Sequence, residues 1–76
     1  MKHFKVGLKY AVRYGCPGYY REKILTVNSI TKRYVYLSCV SKNGVRYVYD
    51  MMPVKIAGKW IKRLVGKDRE FSGGVR

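Results

Sequence analysis

Residues 34–51 read Tyr-Val-Tyr-Leu-Ser-Cys-Val-Ser-Lys-Asn-Gly-Val-Arg-Tyr-Val-Tyr-Asp-Met, and this stretch is the most informative about the fold. Two runs rich in β-branched and aromatic residues, 34–41 and 45–51, flank Asn43-Gly44. Asn-Gly is the strongest short signal for a hairpin, because a type I′ turn needs positive φ at both central residues. The stretch therefore predicts two antiparallel strands joined by a two-residue loop.

The predicted turns set a register for three strands. A two-residue loop at Asn43-Gly44 predicts the pairs Val40–Tyr47, Cys39–Val48, Ser38–Tyr49 and Tyr36–Met51. A turn at 31–33 predicts the pairs Ile30–Tyr34, Val27–Leu37 and Leu25–Cys39. Because successive side chains of a strand point to opposite faces, each pairing also assigns its residues to a face of the sheet.

These registers separate an aliphatic face from a face that carries tyrosines. The aliphatic face, which we expect to form the core, contains Leu25, Val27, Val35, Leu37, Cys39, Val48 and Met52. The other face contains Tyr34, Tyr36, Tyr47 and Tyr49, together with Ile24, Thr26, Asn28, Ser38 and Val40. In the alternative, a strongly twisted sheet covers both faces and buries at least two of these tyrosines. A bulge of one residue would exchange the faces locally.

The flanking segments extend the sheet on the N-terminal side. Residues 4–14 alternate between apolar and polar positions, which predicts a half-buried strand. Gly15-Cys16-Pro17-Gly18 predicts a loop, and residues 20–30 a second strand. The sequence thus predicts a mainly β domain over residues 1–65, built as a small barrel or a strongly bent antiparallel sheet of four to five strands. Residues 66–76 are expected to form a flexible tail.

Residues 53–65 fit two structures. Ile56, Trp60, Ile61, Leu64 and Val65 recur at helical spacing. Pro53 suits the start of a helix and Gly66 its end, which favours a short C-terminal helix at 53–65. Gly58, however, costs a helix about 1 kcal/mol relative to Ala. The alternative is a turn at Gly58 followed by a fifth strand at 59–65.

The composition favours binding over catalysis. The 76 residues hold 17 Lys and Arg against 4 Asp and Glu, which gives a net charge of +13, and 8 tyrosines. His3 is the one histidine, and no carboxylate pair has the setting of a general acid and base, so we do not expect an enzyme. Zinc needs about four ligands, and His3, Cys16 and Cys39 are too few and too scattered, so neither a metal nor a cofactor is expected.

The sequence also bears on location. No apolar run approaches the roughly 18 residues of a transmembrane helix, and the N-terminal residues lack the apolar centre of a signal peptide. We therefore expect a cytoplasmic protein that does not associate with membranes.

Two stretches resemble a known class of small barrels. Lys5-Val-Gly-Leu-Lys-Tyr-Ala-Val-Arg-Tyr14, followed by the run from Leu25 to Leu37, is similar to SH3-like barrels of the KOW and Tudor kind. The stretches 46–50 and 66–71 resemble small basic bacteriophage proteins. The resemblance covers roughly residues 4–50 and implies binding to nucleic acid or to proteins of the transcription and translation machinery. A bacteriophage origin would imply the host cytoplasm.

Charge, tyrosines and resemblance together predict a nucleic-acid-binding protein, with DNA favoured over RNA on the bacteriophage resemblance. Bases would stack on the tyrosine face while cations bind phosphates. The predicted site residues are Tyr34, Tyr36, Tyr47, Tyr49, Lys32, Arg33, Lys42, Arg46, Lys59, Lys62 and Arg63. The alternative is a protein-binding module that docks on an acidic host protein and modulates it. A chain this small can also enlarge its core by forming a homodimer.

Overall fold

The computed structural model describes residues 4–72 and contains one five-stranded antiparallel sheet and one short helix. In chain order the elements are β1 (Leu8–Cys16), β2 (Tyr19–Ile30), β3 (Tyr34–Val40), β4 (Arg46–Pro53), α1 (Val54–Trp60) and β5 (Ile61–Lys67). The strands lie in the order β4-β3-β2-β1-β5. This architecture confirms the prediction of a mainly β domain with four to five antiparallel strands.

The sheet is strongly bent but open. In a flat sheet β1 and β4 would lie about 14 Å apart, because neighbouring strands are about 4.8 Å apart. The Tyr14 hydroxyl on β1 nevertheless donates a 2.8 Å hydrogen bond to Asp50 on β4. Bulges in three of the four strand pairs bend the strands that carry them. Within residues 4–72, β4 and β5 do not pair with each other, so they remain the two edges.

The core lies on the concave face of this sheet. Its buried residues are Tyr10, Val12, Leu25, Val27, Val35, Leu37, Met52, Ala57 and Ile61. The aliphatic face predicted for β2 and β3 is therefore confirmed, with Cys39 half-buried at its rim. We call the opposite, convex face of the sheet the outer face.

A bulge in β4 overturns part of the predicted register. Tyr36 pairs with Met51 as predicted, but beyond Leu37 the register shifts by one residue. Cys39 consequently pairs with Tyr47 instead of Val48. Tyr47 therefore turns to the concave face, while Val48 lies on the outer face and is 40% exposed. The predictions that Val48 is a core residue and that Tyr47 shares a face with Tyr34 were wrong.

The turns explain where the registers shift. Ser41 pairs with Val45, so the β3–β4 loop has three residues and only its last, Gly44, has positive φ. This is the loop of a type I turn followed by a left-handed residue, and the predicted type I′ turn was wrong. On β2, a bulge near Asn28 pairs Ile30 with Val35 instead of Tyr34, whereas Val27 pairs with Leu37 as predicted.

The segment 53–65 contains both of the structures predicted for it. The helix is confined to Val54–Trp60, and its buried Ala57 allows close approach to the sheet. The chain becomes extended at Ile61, because β5 pairs with the free edge of β1. Leu64 and Val65, which helical spacing would bury, are exposed on β5.

The chain beyond residue 65 remains part of the folded body as far as it is described. β5 runs through the predicted boundary at 65/66 and ends at Lys67. The Asp68 amide donates to the Gly7 carbonyl at 2.9 Å, and the Phe71 ring lies over Gly7. Residues 73–76, the rest of the predicted tail, lie outside the described residues, as do residues 1–3.

Candidate nucleic-acid interface

Three of the four carboxylates are engaged with groups of the protein itself. Glu22 pairs with Arg63 at 2.8 Å and with Arg13 at 3.7 Å, and the hydrogen bond from Arg63 contributes most to lowering its pKa. Asp50 accepts the hydroxyl of Tyr14, and burial together with this bond raises the pKa of Tyr14, which remains a protonated donor. The third, Asp68, pairs with an arginine described below.

Most of the other cations between residues 4 and 72 are exposed, and none of them pairs with a carboxylate. Within residues 4–72, arginines 13, 46 and 63 are the basic residues with a carboxylate oxygen within 4.0 Å. The exposed surface therefore carries most of the +13 charge as unneutralised Lys and Arg side chains.

One groove collects cations around a tyrosine at the β2–β3 turn. This hairpin groove has a volume of about 440 Å³ and is lined by Lys32, Arg33, Tyr34, Pro53, Val54 and Lys55. Its wall is held together by a 2.8 Å hydrogen bond from the Val54 amide to the Arg33 carbonyl. The turn itself is stabilised by the Thr31 hydroxyl, which accepts the Tyr34 amide at 3.0 Å. Three cations and no carboxylate line this groove.

Tyr34 forms an aromatic pair with Tyr36 on the outer face. Its ring centroid lies 6.5 Å from that of Tyr36, at an interplanar angle of 55°. Both side chains are half-buried, because they lie among their strand neighbours on β2 and β4. Two of the four tyrosines predicted to share a face are therefore brought together here, next to Lys32 and Arg33.

The other two predicted tyrosines lie on the concave side. The Tyr49 ring packs edge-on against that of Tyr14, with centroids 6.1 Å apart, and the Lys23 ammonium lies 4.6 Å from its centroid. Tyr47 lies beside Cys39, and this contact, followed by burial, raises the pKa of Tyr47. Because the β4 bulge turned them away from Tyr34, the four tyrosines do not form one stacking surface.

A second groove, which we call the terminal groove, lies at the far end of β3. It measures about 420 Å³, and its cationic side chains are Lys9, Arg46, Lys67 and Arg69. Two carboxylates, Asp68 and Glu70, also line it. Four cations against two carboxylates leave this groove positive.

An ion pair between Arg46 on β4 and Asp68, which follows β5, joins two sides of the terminal groove. Their side chains are only 13% and 11% exposed, and they form a 2.7 Å ion pair. Arg46 also donates to the Ser38 hydroxyl at 2.9 Å, and Thr26 donates to Asp68 at 2.5 Å. Burial alone would raise the pKa of Asp68, but hydrogen bonds from Thr26, Arg46 and the Glu70 amide hold it below its usual range. Arg46, predicted as a phosphate ligand, is thus largely committed to a structural pair.

The other predicted cations are dispersed. Lys42 lies in the β3–β4 loop, Lys59 on α1, and Lys62 and Arg63 on β5, all exposed. Arg63 is paired with Glu22. Four groove cations were missing from the predicted site: Lys9, Lys55, Lys67 and Arg69. Lysines such as Lys9 alternate with apolar residues in β1, which signalled exposure, but only the folded chain shows which exposed cations converge.

Comparison with protein-family models, with curated proteins and with solved structures found no match to this chain. Among the residues that the structure describes, no helix is long and apolar enough to cross a bilayer. In the same part of the chain, no three side chains of the metal-binding His, Cys, Asp and Glu types come together.

Proposed function

We propose that this protein binds nucleic acid, with DNA as the first candidate because of the resemblance to small bacteriophage proteins. The observation that carries the proposal is the hairpin groove, in which three cations and an aromatic ring converge without a carboxylate. Lys and Arg side chains bind the phosphate oxygens of nucleic acids, and unpaired bases stack on aromatic rings. The site that we assign comprises Lys32, Arg33, Lys55, Tyr34 and Tyr36.

Salt dependence tests the assignment. Each phosphate neutralised changes the slope of log K against log salt by about −0.9 for duplex DNA and −0.7 for single strands. The triple variant K32Q/R33Q/K55Q should therefore flatten the slope by about 2 to 3. Fluorescence anisotropy with a labelled duplex, a DNA single strand and an RNA single strand, each titrated across salt, measures the slopes and ranks the ligands.

The matched control removes three charges elsewhere. The variant K5Q/R21Q/K62Q has the same net charge as K32Q/R33Q/K55Q, and its three positions are exposed and line neither groove. We expect its slope to change by less than about 1, because only diffuse attraction is reduced. Equal losses in the two variants would contradict a localised site, and no binding of any strand at low salt would contradict the function.

An acidic protein partner is the second candidate. The observation that favours it is a separate groove of about 320 Å³ on the concave side, lined by Tyr14, Ile56 and Trp60 among others. Ile56 is 39% exposed, and the helix that carries it, α1, also carries the exposed Lys55 and Lys59. An apolar groove with cations nearby suits a protein hot spot with an acidic rim. If polyglutamate displaced a bound oligonucleotide at equal charge concentration, selectivity for nucleic acid would be absent and this candidate would be favoured.

A further inference from the structure

The two cationic grooves lie at opposite ends of one strand. Tyr34 lines the hairpin groove, and Val40 lines the terminal groove. These are the first and last residues of β3, and six steps of about 3.3 Å each separate them by about 20 Å. The side chains of residues 34, 36, 38 and 40 all point to the outer face, because Val35 and Leu37 point into the core.

The surface between the grooves is aromatic and apolar. Tyr36 lies two residues beyond Tyr34, and its partner on β4, Met51, is 48% exposed. Val48, the partner of Ser38, is 40% exposed on the same face because of the β4 bulge. Ser38 itself is buried and accepts a hydrogen bond from Arg46. The path along β3 therefore has cations at both ends, and its exposed surface between them is formed by Tyr36, Met51 and Val48.

The far end of this path is held rigidly. The Arg46 guanidinium, paired with Asp68, lies 5.2 Å from the centroid of the Phe71 ring. This fixes the segment that carries Lys67 and Arg69 against the sheet. The two exposed cations are thus presented from a backbone that does not have to become ordered on binding, which reduces the entropic cost of capturing a phosphate.

We propose that the ligand is an unpaired strand that lies along β3 and contacts both grooves; this inference rests on the proposed nucleic-acid function. Unpaired bases can cover Tyr34, Tyr36 and Met51, whereas a duplex hides its base faces and would set charged phosphates against them. At 3.4 Å per stacked nucleotide, a path of about 20 Å takes about six nucleotides.

Length dependence tests the path. We expect affinity for DNA oligonucleotides to rise steeply up to about six to eight nucleotides and then to level off, and a duplex of equal length to bind at least about ten-fold more weakly. The affinity of the variant K9Q/K67Q/R69Q should level off at a shorter oligonucleotide length, because its terminal groove no longer binds phosphate. A duplex that binds as tightly as the single strand would overturn the inference while leaving the nucleic-acid function intact.

The chain supplies a matched pair of aromatic variants. Y34L/Y36L removes both rings from the path and keeps apolar bulk, and Y47L/Y49L removes two rings from the concave side. Affinity for the single strand should fall about ten-fold or more in the first variant and less than three-fold in the second. Thermal melting of both variants verifies that they are folded. Equal losses of affinity in two folded variants would overturn the path. If the unmodified protein bound no nucleic acid at all, the proposed function itself would be overturned.

Discussion

At the scale of single residues, a few positions have conformations or partners that other residue types could not supply. Gly15 has a φ of +123°, and a Cβ placed on it would lie 2.2 Å from the Tyr19 carbonyl oxygen. Gly44 has a φ of +80° but open space around it, and Gly66 has neither restriction. Substitutions at these three glycines therefore distinguish the cost of backbone strain alone from the cost of strain combined with steric overlap.

Alanine at these positions should give a graded loss of stability. Gly66→Ala should change the free energy of unfolding by less than about 0.5 kcal/mol, and Gly44→Ala should lower it by about 1 kcal/mol. Gly15→Ala should lower it by about 2 kcal/mol or more, because strain is combined with a clash against backbone. Urea denaturation measures all three, and equal stability of the Gly15 and Gly66 variants would contradict the conformation of the β1–β2 turn.

At the scale of elements, the β4 bulge decides what each face carries. One extra residue on β4 moves Val48 out of the core and turns Tyr47 toward Cys39, while Leu37 stays fully buried. A one-residue shift exchanges the faces of a strand, because side chains alternate with a period of two. The division of four tyrosines between two surfaces follows from this single irregularity.

Two truncations test the bulge. Leu37→Ala should lower the free energy of unfolding by about 2 to 5 kcal/mol, as expected for a cavity in a packed core. Val48→Ala should change it by less than about 0.5 kcal/mol, because the side chain is exposed on the outer face. Thermal and urea melts of both variants give these values. A Val48→Ala loss as large as that of Leu37→Ala would mean that β3 and β4 keep a regular register.

At the scale of the whole molecule, charge and curvature act together. In the part of the chain that the structure describes, three ion pairs engage three arginines, and the whole sequence carries a net charge of +13, so the folded state confines a large positive charge within a small volume. Such repulsion destabilises a compact state and at the same time attracts polyanions. The bent sheet distributes this charge into grooves at the two ends of β3.

Added salt should therefore stabilise the free protein. Raising sodium chloride from about 0.01 M to about 0.1 M shortens the Debye length from about 30 Å to about 10 Å, which screens repulsion among the exposed cations. We expect the melting temperature to rise, because the repulsive pairs greatly outnumber the three ion pairs. Differential scanning calorimetry without nucleic acid measures it. A falling melting temperature would indicate that the ion pairs, led by Arg46–Asp68, dominate.

The elements that depend on local pattern could be predicted from the amino-acid sequence alone. Alternation predicted β1, β-branched and aromatic composition predicted β2, β3 and β4, and the aliphatic residues of β2 and β3 were recognisable as the core. The net charge of +13 and the cations Lys32 and Arg33 beside Tyr34 were equally visible. Local pattern is sufficient here because period two and turn composition act over only a few residues.

The features that depend on partners far apart in the chain are visible only in the folded protein. Ile61–Lys67 became a strand because the edge of β1 needed hydrogen bonds, although its apolar residues were spaced for a helix. The terminal groove exists because Asp68 bonds to Thr26, 42 residues earlier, and to Arg46. The β4 bulge sent Tyr47 to the concave face, which no alternation pattern signals. The physical reason is common to all three: register, edge pairing and ion pairing are settled by packing between segments far apart in the chain, and a local period carries no information about them.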